Sequence, residues 1–298
     1  MNEFSYAQRH MGTDVSLSFV CGDRESADRL AKTAFSTIKA YEQQFSRFLP
    51  TSELSQLNQS GAAIVSEIFF TVLKRSLELT ELTHGAFNPL VQVARLGYQS
   101  DYKDLPAEAE VVDERYSTDI TRITLDEKTK RVTLATGQQL DFGGFLKGYL
   151  AALLADRTMS REKDCQGCII NIGGDLATRG YDQLHKPFIF FLYNPVTREE
   201  VPIAITDASL ATSGTYARRW RTNQGMQNHI VDTVTLKNPA VDAVSVSLIT
   251  KDGAMSEALT KLFLTRGEKE AIGTASPDTH EYQYFFVTKS GDIKSNIT

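Results

Sequence analysis

The chain lacks any apolar run approaching the ~20 residues that cross a bilayer as a helix, so no membrane span is expected. Both G-x-G-x-x-G and G-x-x-x-x-G-K-[ST] are missing, which removes the Rossmann and P-loop explanations for a nucleotide site. Basic residues are in deficit: 32 Lys and Arg face 37 Asp and Glu, and the net charge of −5 argues against a nucleic-acid surface. Cysteine is scarce and odd in number, three in 298 residues, which is no disulfide framework and fits a reducing compartment. Cys165 and Cys168 form one C-x-x-C, but it leads into a strand rather than a helix, and no second ligand pair at zinc spacing accompanies it. The stretch MNEFSYAQRHMGTD has neither a basic n-region nor an apolar h-region. LSFVC, Leu17 to Cys21, has the outline of a lipoprotein cleavage site, yet it alternates like a strand and puts bulky Val20 before the cysteine. A cytoplasmic location is the expectation.

What is present centres on Leu140 to Gly180, which reads as strand, glycine turn, helix, charged loop (SREKD), strand and glycine turn. Leu150, Leu153 and Leu154 form a helical apolar stripe, and CIINI is a short β-rich run ending at Gly173-Gly174. Backbone can approach a ligand closely at paired glycines. Exposed N–H groups at the start of the Phe145 helix, with Lys147 in its first turn, suit an anion. Taken alone, such glycine pairs are more often plain turns and such a lysine is more often simply solvated.

Around this unit the pattern is mixed. Met11-Gly12-Thr13 opens an alternating first strand through Val15, Leu17 and Phe19, and Arg24 to Phe45 reads as an amphipathic helix. Ser52 can cap a short SELSQLN helix, and Ser66 to Thr83 reads as another helix ended by His84-Gly85. Ser100 to Thr118 is charged without a clear period and reads as a surface insertion or lobe connector, and Arg122–Leu125 with Arg131–Ala135 read as a hairpin. FIFFLYN, VPIAI, HIVDTVT, VSVSLIT and YQYFFVT read as strands, with a helix over Ser256–Thr265. Strand pairs and long helices without regular βαβ alternation indicate an α+β fold.

Taken in order, the unusual segments form a series: MGT at Met11, FSRFLPTSELSQLN from Phe45, GAFNPLVQVARLGY from Gly85 and LDFGGFLKGY from Leu140. INIGGD from Ile170, ASLATSGTY from Ala208, HIVD from His229 and SEALTKLFLTRG from Ser256 complete it. This series, from about residue 10 to 267, resembles the ApbE family, the FAD:protein FMN transferases. The resemblance implies one ApbE-like domain over residues 1–298, with two intertwined lobes, mixed or antiparallel sheets and an FAD cleft between the lobes. It implies transfer of the FMN half of FAD to a threonine or serine hydroxyl of a target flavoprotein, with release of AMP and assistance from magnesium. Carried over by motif, the FAD contacts are Met11, Phe48, Ala86, Phe87, Asn88, Lys147, His229 and a Thr212-Ser213-Gly214 turn. His229 is the candidate base, a role that imidazole fills near neutral pH. Phe48, Phe87 and Met11 offer apolar walls, although core packing explains such residues equally well outside the series.

Several positions depart from the family pattern. Its metal helix carries Asp and, four residues on, Thr, with a backbone carbonyl before the Lys147 position; here these read Glu257, Lys261 and Leu146. An ammonium has donors only and cannot bind a cation. Lys261 either supplies the missing charge, beside Glu257 or on the phosphates, or forms an ordinary helix-surface pair worth ~0.3–0.5 kcal/mol. A register shift would instead put Thr260 in the threonine position. Asn88 replaces an aspartate, Ala152 stands where an aspartate commonly follows KGY, and HIVD lacks its following proline. The expectation is an FAD-binding transferase with Lys147, Lys261 and His229 as catalytic groups and altered metal dependence, Leu146 and Glu257 being the residual metal positions. Non-catalytic FAD-binding or scaffolding, and slow FAD hydrolysis to FMN and AMP, are the alternatives.

Overall fold

A computed structural model of the chain describes residues 1–100, 102–112, 116–275 and 281–297. Within the expected insertion between Ser100 and Thr118, residues 101 and 113–115 lie outside these. In chain order the first elements are β1 (Asn2–His10), β2 (Thr13–Cys21), α1 (Arg24–Phe45), α2 (Glu53–Ser60), β3 (Ala62–Ile64) and α3 (Glu67–Leu82). Then come β4 (Thr124–Asp126), β5 (Arg131–Thr133), α4 (Leu146–Arg161), β6 (Cys165–Ile172), β7 (Asp175–Gly180), β8 (Phe188–Tyr193), β9 (Glu200–Ile205) and β10 (Ser209–Gly214). β11 (Arg219–Thr222), β12 (Gly225–Asn228), β13 (Ser245–Thr250), α5 (Gly253–Arg266), α6 (Glu268–Thr274), β14 (Gln283–Val287) and β15 (Ile293–Ser295) complete the order. The fold is α+β, as the mixed pattern indicates.

Eight strands form one antiparallel sheet in the order β1-β2-β6-β7-β10-β13-β14-β15. Its centre is buried on both faces. Ala177, Leu248 and Phe286 join the main core under α4 and α5. Their neighbours Leu176, Ile249, Phe285 and Val287 pack with Leu192, Ile203 and Ile205 of the β8–β9 ribbon on the other side. That is why SVSLIT is buried at every position rather than at every second one.

Local chemistry sets the helix ends. Asp23, Ser52 and Ser66 accept hydrogen bonds from the N–H groups of Ser26, Ser55 and Phe69, the first at 2.8 Å. α3 ends at His84 and Gly85, both in the left-handed region, and the Gly85 N–H returns 2.7 Å to Thr80 O. α4 runs on through Ser160 and Arg161, which shortens the expected charged loop. α5 begins three residues earlier than its sequence suggests, because Asp252 caps it through the N–H groups of Ala254 and Met255.

Three readings are corrected. β2 is the second strand, not the first: Met11 and Gly12, at φ 52° and 68°, are a two-residue hairpin turn joining it to β1. β1 is an edge strand with mostly exposed side chains, so its apolar alternation is faint. HIVDTVT is a loop, not a strand. Asn228 binds the Ile230 N–H, Asn238 binds the carbonyls of Asn228 and Ile230, and Asp232 binds the N–H groups of Val234 and Thr235. Side chains thereby take the backbone groups a ladder would need. Thr212, Ser213 and Gly214 are the end of strand β10, not a turn.

α4 and α5 cross at two glycines. A β-carbon on Gly148 would overlap the carbonyl of Gly253, one on Gly253 would overlap that of Gly148, and Ala152 packs against Gly253 as well. The expected effect of Gly253→Ala is a loss of about 1–3 kcal/mol in urea unfolding, because the helices must separate to admit the methyl group.

Candidate functional site

The glycine crossing brings the first turn of α4 against the buried middle of α5. Beneath that turn lies an aromatic cluster in which Phe145 meets Phe87 at 5.5 Å and Phe142 at 5.8 Å between ring centres, both edge to face. Glu257 on α5 is 1% exposed, and its Oε1 accepts the Gly148 N–H at 2.6 Å, one of the unpaired donors of the α4 amino terminus. Lys147 Nζ pairs with Asp175 Oδ2 and lies 3.7 Å from Glu257 Oε1. From the other side, Lys261 Nζ reaches Glu257 Oε2 at 3.3 Å and donates to Ser213 Oγ at 3.3 Å.

The result is a buried tetrad of two ammonium and two carboxylate groups. Burial depresses the basicity of Lys147, but Asp175 and Glu257 outweigh it and hold the pKa above the ordinary lysine value. Burial dominates at Lys261, lowering its pKa despite Glu257 and Asp175. Glu257 is opposed by burial, yet Lys147, Lys261 and the Gly148 N–H keep it below the usual carboxylate range. Asp175 is pushed up by burial and then by Glu257, with Lys147 opposing.

His229 stands beside this group. Its Nδ1 is buried without a hydrogen-bond partner among the described residues. Burial, then the charges of Arg218, Lys261 and Lys147, lower its pKa to about 3, so the imidazole is neutral. Three cations therefore face two carboxylates and a neutral ring. That balance suits an entering phosphate anion.

The structure thus gathers Lys147, Lys261, Glu257, Ser213 and His229 from the sequence-derived set. Phe87 joins them, since its ring and Lys261 Cε lie 3.3 and 3.7 Å from where a Gly144 β-carbon would stand, but it is only 4% exposed and mostly core. Ala86 is buried next to it. Asn88 spends its side chain on the Thr118 carbonyl and the Leu90 N–H. Gly214 lies under the exposed ring of Tyr216, and Thr212 Oγ1 meets Ser247 Oγ at 2.8 Å. Met11 belongs to the β1–β2 turn, its N–H bound to Glu42. Phe48 is exposed in a separate group, with the Arg47 guanidinium 4.3 Å above its ring. Thr260 is fully buried, its hydroxyl donating to the Glu257 carbonyl and meeting Ser213 Oγ at 2.7 Å, so it is not free for a ligand.

Asp175 and Arg218 are functional candidates that motif reading passed over. Asp175 was visible as the acid closing INIGGD; Arg218, in an ordinary-looking ARRW run, carried no signal. Cys165 and Cys168 are plain core cysteines on β6, free and buried, with burial pushing their thiols up to about 11 and about 12. The donor set does not fit a divalent metal. Each Glu257 oxygen already accepts from an N–H or ammonium donor, and Lys261 puts an ammonium where a ligand oxygen would be needed. Among the described residues no three His, Cys, Asp or Glu side chains converge as metal ligands.

The model of the ApbE family matches residues 11–286. The chain belongs to the ApbE family. It is 27% identical to a FAD:protein FMN transferase of Klebsiella pneumoniae, over 97% of this chain and 90% of that one. A second FAD:protein FMN transferase, from Vibrio cholerae, is 24% identical over 95% and 86%. In fold it is similar to the ApbE protein of Thermotoga maritima, with a TM-score of 0.86, 23% identity and coverage of 98% and 96%. The flavin transferase ApbE of Vibrio cholerae superposes with a TM-score of 0.78, 21% identity and coverage of 99% and 96%.

The lowered His229 pKa has a consequence for stability. The unfolded chain takes up a proton on this imidazole as the pH falls below 6.5, whereas the folded chain does so only near 3. Folding is therefore weakened with acid across that window, by up to about 1.4 kcal/mol per pH unit. Urea unfolding between pH 6.5 and 4 is expected to show a shallower acid slope for His229→Gln than for the natural protein; equal slopes would contradict the buried neutral ring.

Proposed function

We propose that this chain transfers the FMN moiety of FAD to a threonine or serine hydroxyl of a partner flavoprotein, releasing AMP. The relatives named for this reaction align with nearly all of the chain, which supports the reading. The observation that carries it is the neutral imidazole of His229, set among three cations with its Nδ1 unpartnered among the described residues. In the transfer, the acceptor oxygen attacks the phosphorus that bears the riboflavin. The bond from that phosphorus to the bridging oxygen breaks, and AMP departs with the oxygen. The hydroxyl proton passes to His229, while Lys147 and Lys261 balance charge on the non-bridging oxygens. Asp175 and Arg218 serve as positioning and field-setting groups. Tyr216, exposed beside Gly214, offers a ring face to flavin or adenine. We read the location as cytoplasmic from the three free cysteines.

Incubation of the protein with FAD and a threonine-bearing acceptor peptide is expected to give AMP and a peptide heavier by one FMN, read by mass spectrometry. His229→Ala is expected to lower kcat by roughly 100- to 10,000-fold with a much smaller change in FAD affinity. An undiminished kcat in that variant would remove His229 from the role of base.

A further inference from the structure

We propose that Lys261 is a built-in cation that makes the dinucleotide phosphate site of this chain independent of divalent metal. This rests on the reading of the site as one for FAD.

The hydrogen bonds of the α5 side chains fix the direction of each proton. Thr260 has one hydroxyl proton, and it goes to the Glu257 carbonyl at 2.7 Å. Ser213 must therefore donate its own proton to Thr260 Oγ1, at 2.7 Å, which leaves a Ser213 lone pair facing Lys261 Nζ at 3.3 Å. Lys261 carries three N–H donors. Glu257 Oε2 and Ser213 Oγ take two, and among the described residues none takes the third, which is left for an incoming oxygen.

The side chain is 17% exposed, so it is held by the protein yet not sealed from the site. Its Cε packs over Gly144, where a β-carbon would lie 3.7 Å away, and the neighbouring Phe87 ring closes the same spot. A divalent ion at Glu257 would have to enter beside a carboxylate that is 1% exposed and already accepts from the Gly148 N–H and the Lys261 ammonium, with the Lys147 ammonium 3.7 Å away. It would then stand beside two fixed positive charges. The tetrad opposes a metal on both counts and already supplies what a metal would bring to a phosphate, which is positive charge in a water-poor place.

The test is calorimetric titration of FAD into the full-length protein, once with EDTA and once with saturating magnesium chloride. The expected dissociation constants agree within about twofold, and Lys261→Met weakens binding in EDTA by roughly 10- to 100-fold, the range of a charge-assisted hydrogen bond. The paired change Glu257→Asp with Lys261→Thr is expected to bind FAD better with magnesium than with EDTA. Natural protein that needs magnesium to bind FAD overturns the inference and leaves the transferase reading standing. So does a folded Lys261→Met that binds as tightly as the natural protein in EDTA. Absence of FAD binding in both buffers overturns the transferase reading itself, and this inference with it. Circular dichroism establishes that each variant is folded, and Lys261→Arg, which keeps the charge, is expected to retain metal-free binding.

Discussion

A carboxylate with almost no access to water has to be compensated, and Glu257 is that carboxylate. Removing one charge from water costs several kcal/mol, a debt that only close, well-oriented partners can offset. Glu257 has them on three sides: a helix-terminal N–H, the Lys147 ammonium and the Lys261 ammonium. Asp175 balances Lys147 in turn. Each ion in the tetrad would be unfavourable without the others, which ties the first turn of α4, the middle of α5 and the start of β7 into one unit.

That unit exists because two helices approach at glycines. Gly148 and Gly253 let the α4 and α5 backbones meet, and the approach delivers the Gly148 N–H to Glu257. The antiparallel pairing of β7, β10 and β13 then sets Asp175 and Ser213 under the crossing. The cationic surplus made by Arg218 falls on His229, whose ring is kept neutral by burial and by its neighbours. The same crowding of positive charge thus prepares a place for phosphate and keeps the imidazole in its unprotonated form until an anion enters.

Much of this could be read from the residues. The cap at Ser52, the span of α1 and the Glu257–Lys261 pair followed from residue type and spacing, and the family resemblance put Lys147 near them. What could not be read was decided by tertiary context. α5 is buried on nearly every side, so no apolar stripe marks its true start at Gly253. The loop after His229 has a strand-like sequence, but asparagine and aspartate side chains capture its backbone. Asp175 gained its importance only when β7 brought it to Lys147. Phe87, offered by motif as a ligand wall, also packs edge to face on Phe145 at the start of α4, a contact that no local pattern announces.

The central claim is that Glu257 is held by ammonium groups and not by a metal. A double-mutant cycle on Glu257→Gln and Lys261→Met, followed by urea unfolding in EDTA, measures their coupling directly. The account predicts a favourable interaction of about 2 kcal/mol or more, as for a buried pair whose single truncations strand a charge. A coupling near zero would show that the two side chains ignore each other and would contradict it.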